Sequence, residues 1–394
     1  FRSGVGELDY LATQERHSAT VGSLSASVSS RSQRGDEQSS ERYFVLSSKA
    51  LADRAGPQLT LMSDTLQAAR FDEHNRIRDL VSQIRARRDQ GITGSGHALA
   101  MSAACAGMSP LAKLGHEQGG LEGIRRMRAL DDVLKQDGEL EALAHSLGAI
   151  HRKLAEGGAP LICTIADEAN LAAAADSAWA AAHAVGTGES ETPGAVPVRE
   201  ARQEMWVTNT QVNFCAKAYP TVPSGHPDAP VLSVLAAFLR NGFLHRSIRE
   251  QGGAYGGGAS HDPNIAAFRF FSYRDPRLVE TLTDFDAAIT WLLDTQHEQL
   301  ALEEAILSVM ASLDKPGSPA GEAKRDFHER LFGRTAEHRK QLRAGIVNTR
   351  IEDLRRVTET YLRPELASTA VITHSAGAEI IAEQGLTLTR QELL

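Results

Sequence analysis

The sequence predicts an α+β fold of two related domains, each with an antiparallel sheet and helices packed on one face. Short segments of alternating apolar and polar residues are typical of strands, whereas apolar residues spaced three and four apart are typical of helices. The order helix, strand, helix recurs with similar spacing near the end of each half of the chain. This recurrence indicates duplication of one structural unit, although two independent α+β domains would give the same pattern.

Length and composition are those of a globular protein. The 394 residues favour two domains, and 42% of them are hydrophobic, which is enough for well-formed cores. The net charge of −8 gives no indication of a nucleic-acid surface, and we interpret a basic run over residues 76–88 as a solvated helix face. No apolar run approaches the roughly 18 residues of a membrane span. We therefore expect neither nucleic acid nor a membrane among the partners.

The three cysteines, Cys105, Cys163 and Cys215, lie far apart in the sequence. Their spacing predicts neither a disulfide framework nor a zinc site built from cysteines. Cys163 and Cys215 lie in apolar stretches, so we expect both side chains to be buried.

A segment rich in Gly, Pro and polar residues separates the two predicted domains. It shows the periodicity of neither a strand nor a helix. We assign residues 1–183 to the first domain, 184–200 to a linker and 201–394 to the second domain.

The first domain is predicted to begin with strands and to end in the repeated unit. Residues 24–28 and 41–46 alternate as strands do. A predicted helix places four apolar residues on one face, namely Ile77, Leu80, Val81 and Ile84. The repeated unit comprises a helix over residues 139–155, a strand over 161–165 and a helix from residue 168.

The second domain is predicted to open with one long strand, or two strands with a bend, over residues 205–218. Apolar spacing predicts helices over 231–249 and 278–293, and alternation predicts a strand over 266–273. The repeated unit closes the domain with a helix over residues 351–362, a strand over 370–373 and a helix from residue 376.

A glycine-rich turn follows the predicted helix over residues 231–249. Five of the seven residues from 252 to 258 are glycine, and such glycines end helices. Arg249 lies on the last helical turn and Tyr255 just after it, so both side chains can project toward the same space. A guanidinium and a phenol together can hold a peptide carbonyl and stabilise an oxyanion.

Glycine lacks a Cβ atom, so a peptide can approach its backbone closely. This makes four glycines candidates for substrate binding: Gly252, Gly253, Gly256 and Gly257. A simpler interpretation is that the cluster only forms a turn into a strand, and that Arg249 only complements the helix dipole. A phosphate-binding loop is disfavoured, because such loops run from a strand into the N-terminus of a helix.

No local zinc motif is present in the sequence. A zinc peptidase requires His-Glu-x-x-His or the inverted His-x-x-Glu-His. None of the 14 histidines completes either pattern, because each adjacent pair of His and Glu lacks the second His. These pairs include His74, His116, His297, His328 and His338. A site assembled from distant histidines is the alternative.

Residues 243–259 resemble the C-terminal half of presequence proteases, which belong to the pitrilysin and insulin-degrading-enzyme superfamily of zinc peptidases. In the second domain the resemblance rests on Leu244-His245, Ile248-Arg249-Glu250, residues 252–259, residues 272–276 and Glu280-Thr281-Leu282. In the first domain it rests on Asp9-Tyr10, Ser25-Ala26-Ser27, Gly91-Ile92 and Ser95-Gly96-His97. It spans nearly the whole chain and is most specific over residues 243–282.

The resemblance implies a protein of four homologous α+β domains whose two halves close around an unstructured peptide. The N-terminal half would carry the zinc, so this chain has no metal ligand and is expected to be inactive by itself. Arg249 and Tyr255 correspond to the two residues through which the C-terminal half reaches the substrate. Zinc-activated water would attack the peptide carbonyl, while Tyr255 donates a hydrogen bond to the oxyanion.

The same resemblance implies that the first domain lacks an opening strand and helix, which in the family precede the position of Phe1. The N-terminus does not reveal a compartment. A bacterial protein would be cytoplasmic, and a eukaryotic one would lie in the mitochondrial matrix. The alternatives to a peptidase half are a non-catalytic scaffold and a peptide-binding module of the same fold.

Overall fold

The fold combines a β-hairpin, a large sheet and many helices. The computed structural model describes residues 2–157, 160–182 and 196–393. Up to residue 182 the elements are α1 (Tyr10–Thr20), β1 (Ser23–Gln33), β2 (Asp36–Lys49), a 3-10 turn (Ala52–Arg54), α2 (Ala55–Ala68), α3 (His74–Gly94), α4 (Gly96–Cys105), α5 (Pro110–Gly119), α6 (Leu121–Val133), α7 (Glu139–Glu156) and α8 (Glu168–Ala182).

The large sheet belongs to the part of the chain from residue 196 onward. The elements there are β3 (Gln203–Val207), β4 (Phe214–Pro220), α9 (Asp228–Leu239), a π-helix (Arg240–Gln251), β5 (Gly256–Asp262), β6 (Ala267–Tyr273), α10 (Val279–Asp294), α11 (Gln299–Leu313), α12 (Pro319–Leu331), α13 (Ala336–Val347), α14 (Ile351–Tyr361), a 3-10 turn (Pro364–Leu366), β7 (Ser368–Thr373), α15 (Ser375–Glu383) and β8 (Thr389–Glu392). The helices and strands predicted for this part are confirmed, with bounds that differ by a few residues. The long alternating segment is two strands, β3 and β4.

The hairpin of β1 and β2 is antiparallel, with Ser23 opposite Lys49. It contains both segments that were predicted as strands near the N-terminus. The predicted strand over residues 161–165 is wrong, because residues 160–167 have no regular structure and Leu161 is 62% exposed. A short apolar run forms a strand only beside a partner strand, and the described chain places none there. Cys163, expected to be buried, is exposed in this segment.

The six-stranded sheet has the order β5-β6-β4-β7-β3-β8. The first four strands pair antiparallel, as predicted, but β3 runs parallel to both β7 and β8. The sheet is therefore mixed, and the fold class α+β is confirmed. Parallel pairing arises because long helical connections separate β3 from β7 in sequence and return the chain in the same direction.

Helices cover both faces of this sheet, which corrects the expectation of helices on one face. Met205 and Val371 point toward one core cluster, which includes α9, α10 and α14. Their neighbours Trp206 and Ile372 point toward a second cluster, which includes α4. Successive residues of a strand alternate between faces, so strands apolar at every position need a cover on each side.

α4 lies close against the sheet because its inner face carries small residues. Ala100, Ala103 and Ala104 are fully buried there. A Cβ atom at Gly96 would lie 2.5 Å from the Phe214 ring. Since α4 precedes the predicted linker, the second core cluster joins both sides of it. The domain division itself stays a prediction.

The predicted linker lies mostly outside the described residues, which resume at residue 196. Residues 196–200 have no regular structure. None of the helices in the described ranges combines the length and the apolar character of a membrane span.

Candidate functional site

The predicted site lies where the π-helix ends and β5 begins. Leu244 and Ile248 are fully buried and anchor the helix, whereas Arg249 is exposed on its last turn. The chain then reverses: the Gly253 N–H donates to the Arg249 carbonyl at 3.1 Å, and the Ala254 N–H donates to the Ile248 carbonyl at 3.1 Å. The glycines therefore end the helix, as predicted.

Tyr255 lies immediately before β5 and is 68% exposed. Its N–H donates to the Arg274 carbonyl at 3.4 Å, and its ring contacts Tyr273 edge to face with centroids 5.5 Å apart. Arg249 and Tyr255 thus flank one reversal, and both side chains lie at the surface. The described side chains form no hydrogen bond between these two residues, so both remain available to a ligand.

The four candidate glycines have different surroundings. A Cβ atom at Gly252 would overlap the Arg277 guanidinium, and one at Gly257 would lie 2.6 Å from Ile248 Cγ2. Gly253 has a φ of +78°, which favours glycine. A Cβ atom at Gly256 would meet no atom within 4 Å. Packing accounts for Gly252 and Gly257, and backbone conformation accounts for Gly253. Of the four candidates, Gly256 is the one with open space beside it.

Residues 273–277 support the chain reversal, which comprises residues 249–255. The Asp275 carboxylate is buried and accepts from the Thr281 hydroxyl at 2.8 Å and the Arg277 N–H at 3.0 Å. Burial raises the pKa of this carboxyl. The Arg277 guanidinium donates to Asp284 at 2.8 Å and to the Ser247 carbonyl at 3.3 Å, which fixes the end of the π-helix.

Residues 272–276 are part of the resemblance to presequence proteases, but the sequence alone assigns them no role. Asp275 and Arg277 lie in the loop after β6 and act through contacts with α10 and the π-helix, which the sequence does not reveal. The sequence signal is an aspartate directly before a proline, and this pair does not identify a partner.

A resident metal does not fit the described part of this chain. Among those residues, no group of three or more His, Cys, Asp or Glu side chains is placed to hold an ion. The site offers a guanidinium, a phenol and open space beside Gly256, and the first two can donate hydrogen bonds to a ligand.

Two family models match the chain. One describes a domain associated with subfamily C of peptidase family M16 and matches residues 1–130. The other is described as "PreP C-terminal domain" and matches residues 203–372. The second match contains Arg249, Tyr255 and the four candidate glycines.

The curated relatives are described as presequence proteases. A mitochondrial presequence protease of Yarrowia lipolytica is 29% identical over 354 residues, covering 87% of this chain and 34% of the relative. The chloroplastic/mitochondrial presequence protease 1 of Arabidopsis thaliana is 27% identical over 356 residues, covering 89% of this chain and 32% of the relative. The chain thus spans about a third of the length of these relatives.

Solved structures share the fold at low sequence identity. The periplasmic protease PqqL from Escherichia coli has a TM-score of 0.60 at 17% identity, covering 95% of this chain and 39% of that chain. A peptidase M16 inactive domain from Pseudomonas fluorescens has a TM-score of 0.59 at 13% identity, covering 100% of this chain and 87% of that one. These likenesses show a shared fold, whereas the two family models and the curated relatives show that the chain belongs to the presequence-protease family of the M16 superfamily and corresponds to its C-terminal half.

Proposed function

We propose that this chain is the half of a zinc metalloendopeptidase that closes over short unfolded peptides. Arg249 and Tyr255 would act on the bound peptide. The observation that carries the proposal is that an exposed guanidinium and an exposed phenol flank one chain reversal, which residues 273–277 support. A scaffold gains nothing from two exposed polar side chains that have no hydrogen-bond partner among the described residues.

The chemistry of the two side chains is complementary. In the described structure the Tyr255 hydroxyl makes no hydrogen bond, so it is free to donate to an oxygen that becomes negative during peptide hydrolysis. The Arg249 guanidinium has several donors in one plane and holds a peptide carbonyl or supports the same oxygen. Both side chains therefore act as hydrogen-bond donors to the bound peptide.

Zinc and its activated water belong to the N-terminal half in this proposal. The described residues of this chain hold no cluster of metal donors, so they contribute binding and orientation only. The N-terminal half is therefore the obligatory partner, and this chain alone is inactive. The compartment follows the source: the mitochondrial matrix in a eukaryote and the cytoplasm in a bacterium.

The test is Arg249→Ala in the full-length protein, assayed on an unstructured peptide. We expect kcat/KM to fall on the order of 100-fold, the usual effect of removing one donor from an oxyanion or carbonyl site. The matched control is Arg246→Ala, because Arg246 is exposed on the same π-helix. Equal activity of both variants and the parent enzyme would show that Arg249 has no part in the reaction.

A second measurement separates the peptidase half from a free-standing binding module. This chain by itself should not hydrolyse peptides, and it should restore hydrolysis when joined to the N-terminal half. Hydrolysis by this chain alone, or by the N-terminal half alone at the full rate, contradicts the proposal.

A further inference from the structure

We propose that Tyr273 is a positioning residue for Tyr255, and that the junction of α3 and α4 supports Tyr273 from beneath. This inference rests on the proposed function, because the position of the Tyr255 hydroxyl matters only if it acts on a substrate. It also assigns a role to residues of the first predicted domain, which lie far from the glycine-rich turn in sequence.

Tyr255 has few contacts that hold its ring. The side chain is 68% exposed, and in the described chain Tyr273 provides the one aromatic contact, at 5.5 Å between centroids and 85° between planes. An edge-to-face pair restricts both rings, because the positive edge of one ring faces the negative face of the other. Without Tyr273 the Tyr255 side chain would rotate freely in water.

Tyr273 is itself held from several sides. Its hydroxyl donates to the Gly94 carbonyl at 3.4 Å, at the end of α3. The His97 ring, on α4, contacts it edge to face with centroids 4.7 Å apart, and Phe214 lies 5.9 Å away. The guanidinium carbon of Arg274 lies 5.4 Å from its ring centroid. The Tyr273 ring, which contacts Tyr255, is therefore held by residues of α3, α4 and β4 and by the adjacent Arg274.

His97 presents an uncharged ring to Tyr273. Burial lowers the pKa of His97, and its Nδ1 atom is buried without a hydrogen-bond partner in the described structure. An uncharged ring packs against Tyr273 without the cost of burying a charge.

The backbone beside Tyr273 holds Tyr255 in the same place. Arg274 has a φ of +49°, which is unusual for a residue with a side chain, and its carbonyl accepts the Tyr255 N–H. Residues 273 and 274 thus fix the ring and the backbone of Tyr255 together. Tyr255 is thus held both through its ring and through its backbone N–H. Ordinary apolar packing would bury surface without fixing the direction of the side chain.

The experiment uses the full-length protein with 3-fluorotyrosine at position 255 alone. Fluorine NMR reports the surroundings of that ring, and steady-state kinetics on an unstructured peptide report kcat and KM. In Tyr273→Leu we expect the resonance to move toward that of free fluorotyrosine. We expect kcat to fall roughly 3- to 10-fold, the range that an aromatic pair supplies, while KM changes by less than about twofold.

Tyr273→Phe is the matched control, because it removes only the long hydrogen bond to Gly94 and keeps the ring, which His97, Phe214 and Arg274 still contact. It should retain the parent resonance and kcat to within about twofold. If Tyr273→Leu does not fold, His97→Leu replaces it, and a smaller shift in the same direction is expected.

Each outcome decides the proposal. An unchanged fluorine resonance in Tyr273→Leu overturns the positioning role, whether or not kcat falls. A shifted resonance with lower kcat and rescue by Tyr273→Phe supports it. A shifted resonance with unchanged kcat supports the positioning of Tyr255 but contradicts its proposed role in peptide hydrolysis, so the two claims fail separately.

Discussion

The adjacent glycines Gly256 and Gly257 have different surroundings at this site. Gly257 packs against Ile248, which is fully buried, whereas Gly256 borders open space. We predict that Gly257→Ala lowers the free energy of unfolding by about 1–3 kcal/mol, because the new methyl group overpacks a filled core. Urea unfolding of the two alanine variants measures the difference.

Gly256→Ala is the matched control for that stability experiment, and it should change the free energy of unfolding by less than about 0.5 kcal/mol. In the full-length protein the same variant should raise KM if a peptide lies against Gly256. Equal destabilisation by both substitutions contradicts the packing described for Gly257.

His116 gives a prediction for pH. It is 3% exposed, its ring lies edge to face on Trp206 at 5.8 Å, and burial lowers its pKa from 6.5 to about 4. The unfolded chain therefore binds a proton between about pH 6.5 and 4 that the folded chain excludes. This contribution to stability is present above pH 6.5 and is lost as the pH falls toward 4, by at most about 1.4 kcal/mol per pH unit.

His116→Gln removes this proton uptake, since the amide stays neutral. The difference in unfolding free energy between parent and variant should therefore decrease from pH 7 to pH 4.5 in urea titrations. Other histidines with lowered pKa contribute equally to both proteins, so they cancel in the difference. A difference that is constant with pH contradicts a buried neutral His116.

At the scale of these residues, Arg249 and Tyr255 were identified from the glycine-rich motif and its resemblance. The sequence assigns no role to Tyr273 or Arg277, because their contacts with the π-helix and with the residues around Tyr255 arise only in the tertiary fold. A motif indicates which residues occur together, whereas the support behind them follows from the tertiary fold. The roles of Arg249 and Tyr255 themselves stay predictions.

The helix α4 is the element on which the second core cluster depends. Its alanines allow it to lie flat on the sheet, and Ala103 has no exposed surface. We predict that Ala103→Leu lowers the free energy of unfolding by about 1–3 kcal/mol, because the larger side chain forces the helix away from β4 and β7. Thermal or urea unfolding measures the loss.

Ala98 lies on the exposed face of the same helix and provides the control. Ala98→Leu adds the same side chain without a steric conflict, so its effect should stay within about 0.5 kcal/mol. Comparable losses from Ala98→Leu and Ala103→Leu would mean that α4 does not cover the sheet as described.

Elements with strong periodicity were predicted well from the sequence. The alternating residues of β1, β2 and β6 and the apolar spacing of α9, α10 and α14 each gave the correct type of structure. The prediction for 161–165 was wrong, because a short apolar run forms a strand only when a neighbouring strand is available to pair with it. The π-helix was predicted as an ordinary helix, since apolar spacing does not resolve the wider hydrogen-bond pattern.

At the scale of the whole molecule, the six-stranded sheet is contacted by both parts of the chain. Strands after residue 200 form it, helices from both sides of the predicted linker cover it, and each face has its own apolar cluster. The sequence predicted the α+β class but not the cover on both faces. Short strands such as β7, buried at every position, give no alternation from which two covered faces can be inferred.

The proposed function requires reacting groups beyond those that Arg249 and Tyr255 supply. Arg249 and Tyr255 lie at one exposed end of the sheet, and the described residues place no metal donors beside them. The chain spans about a third of the length of its curated relatives, and the proposed function assigns the reacting groups to the remainder of such a protein.

The most direct test of the central claim is the turnover of Tyr255→Phe in the full-length protein on an unstructured peptide. Tyr43→Phe is the control, because its hydroxyl contacts Glu41 far from the glycine-rich turn in sequence. Loss of a donor to the oxyanion predicts that kcat falls on the order of 100- to 1000-fold while KM changes far less. Unchanged kcat in Tyr255→Phe would contradict the claim that this half of the protein acts on the substrate through Tyr255.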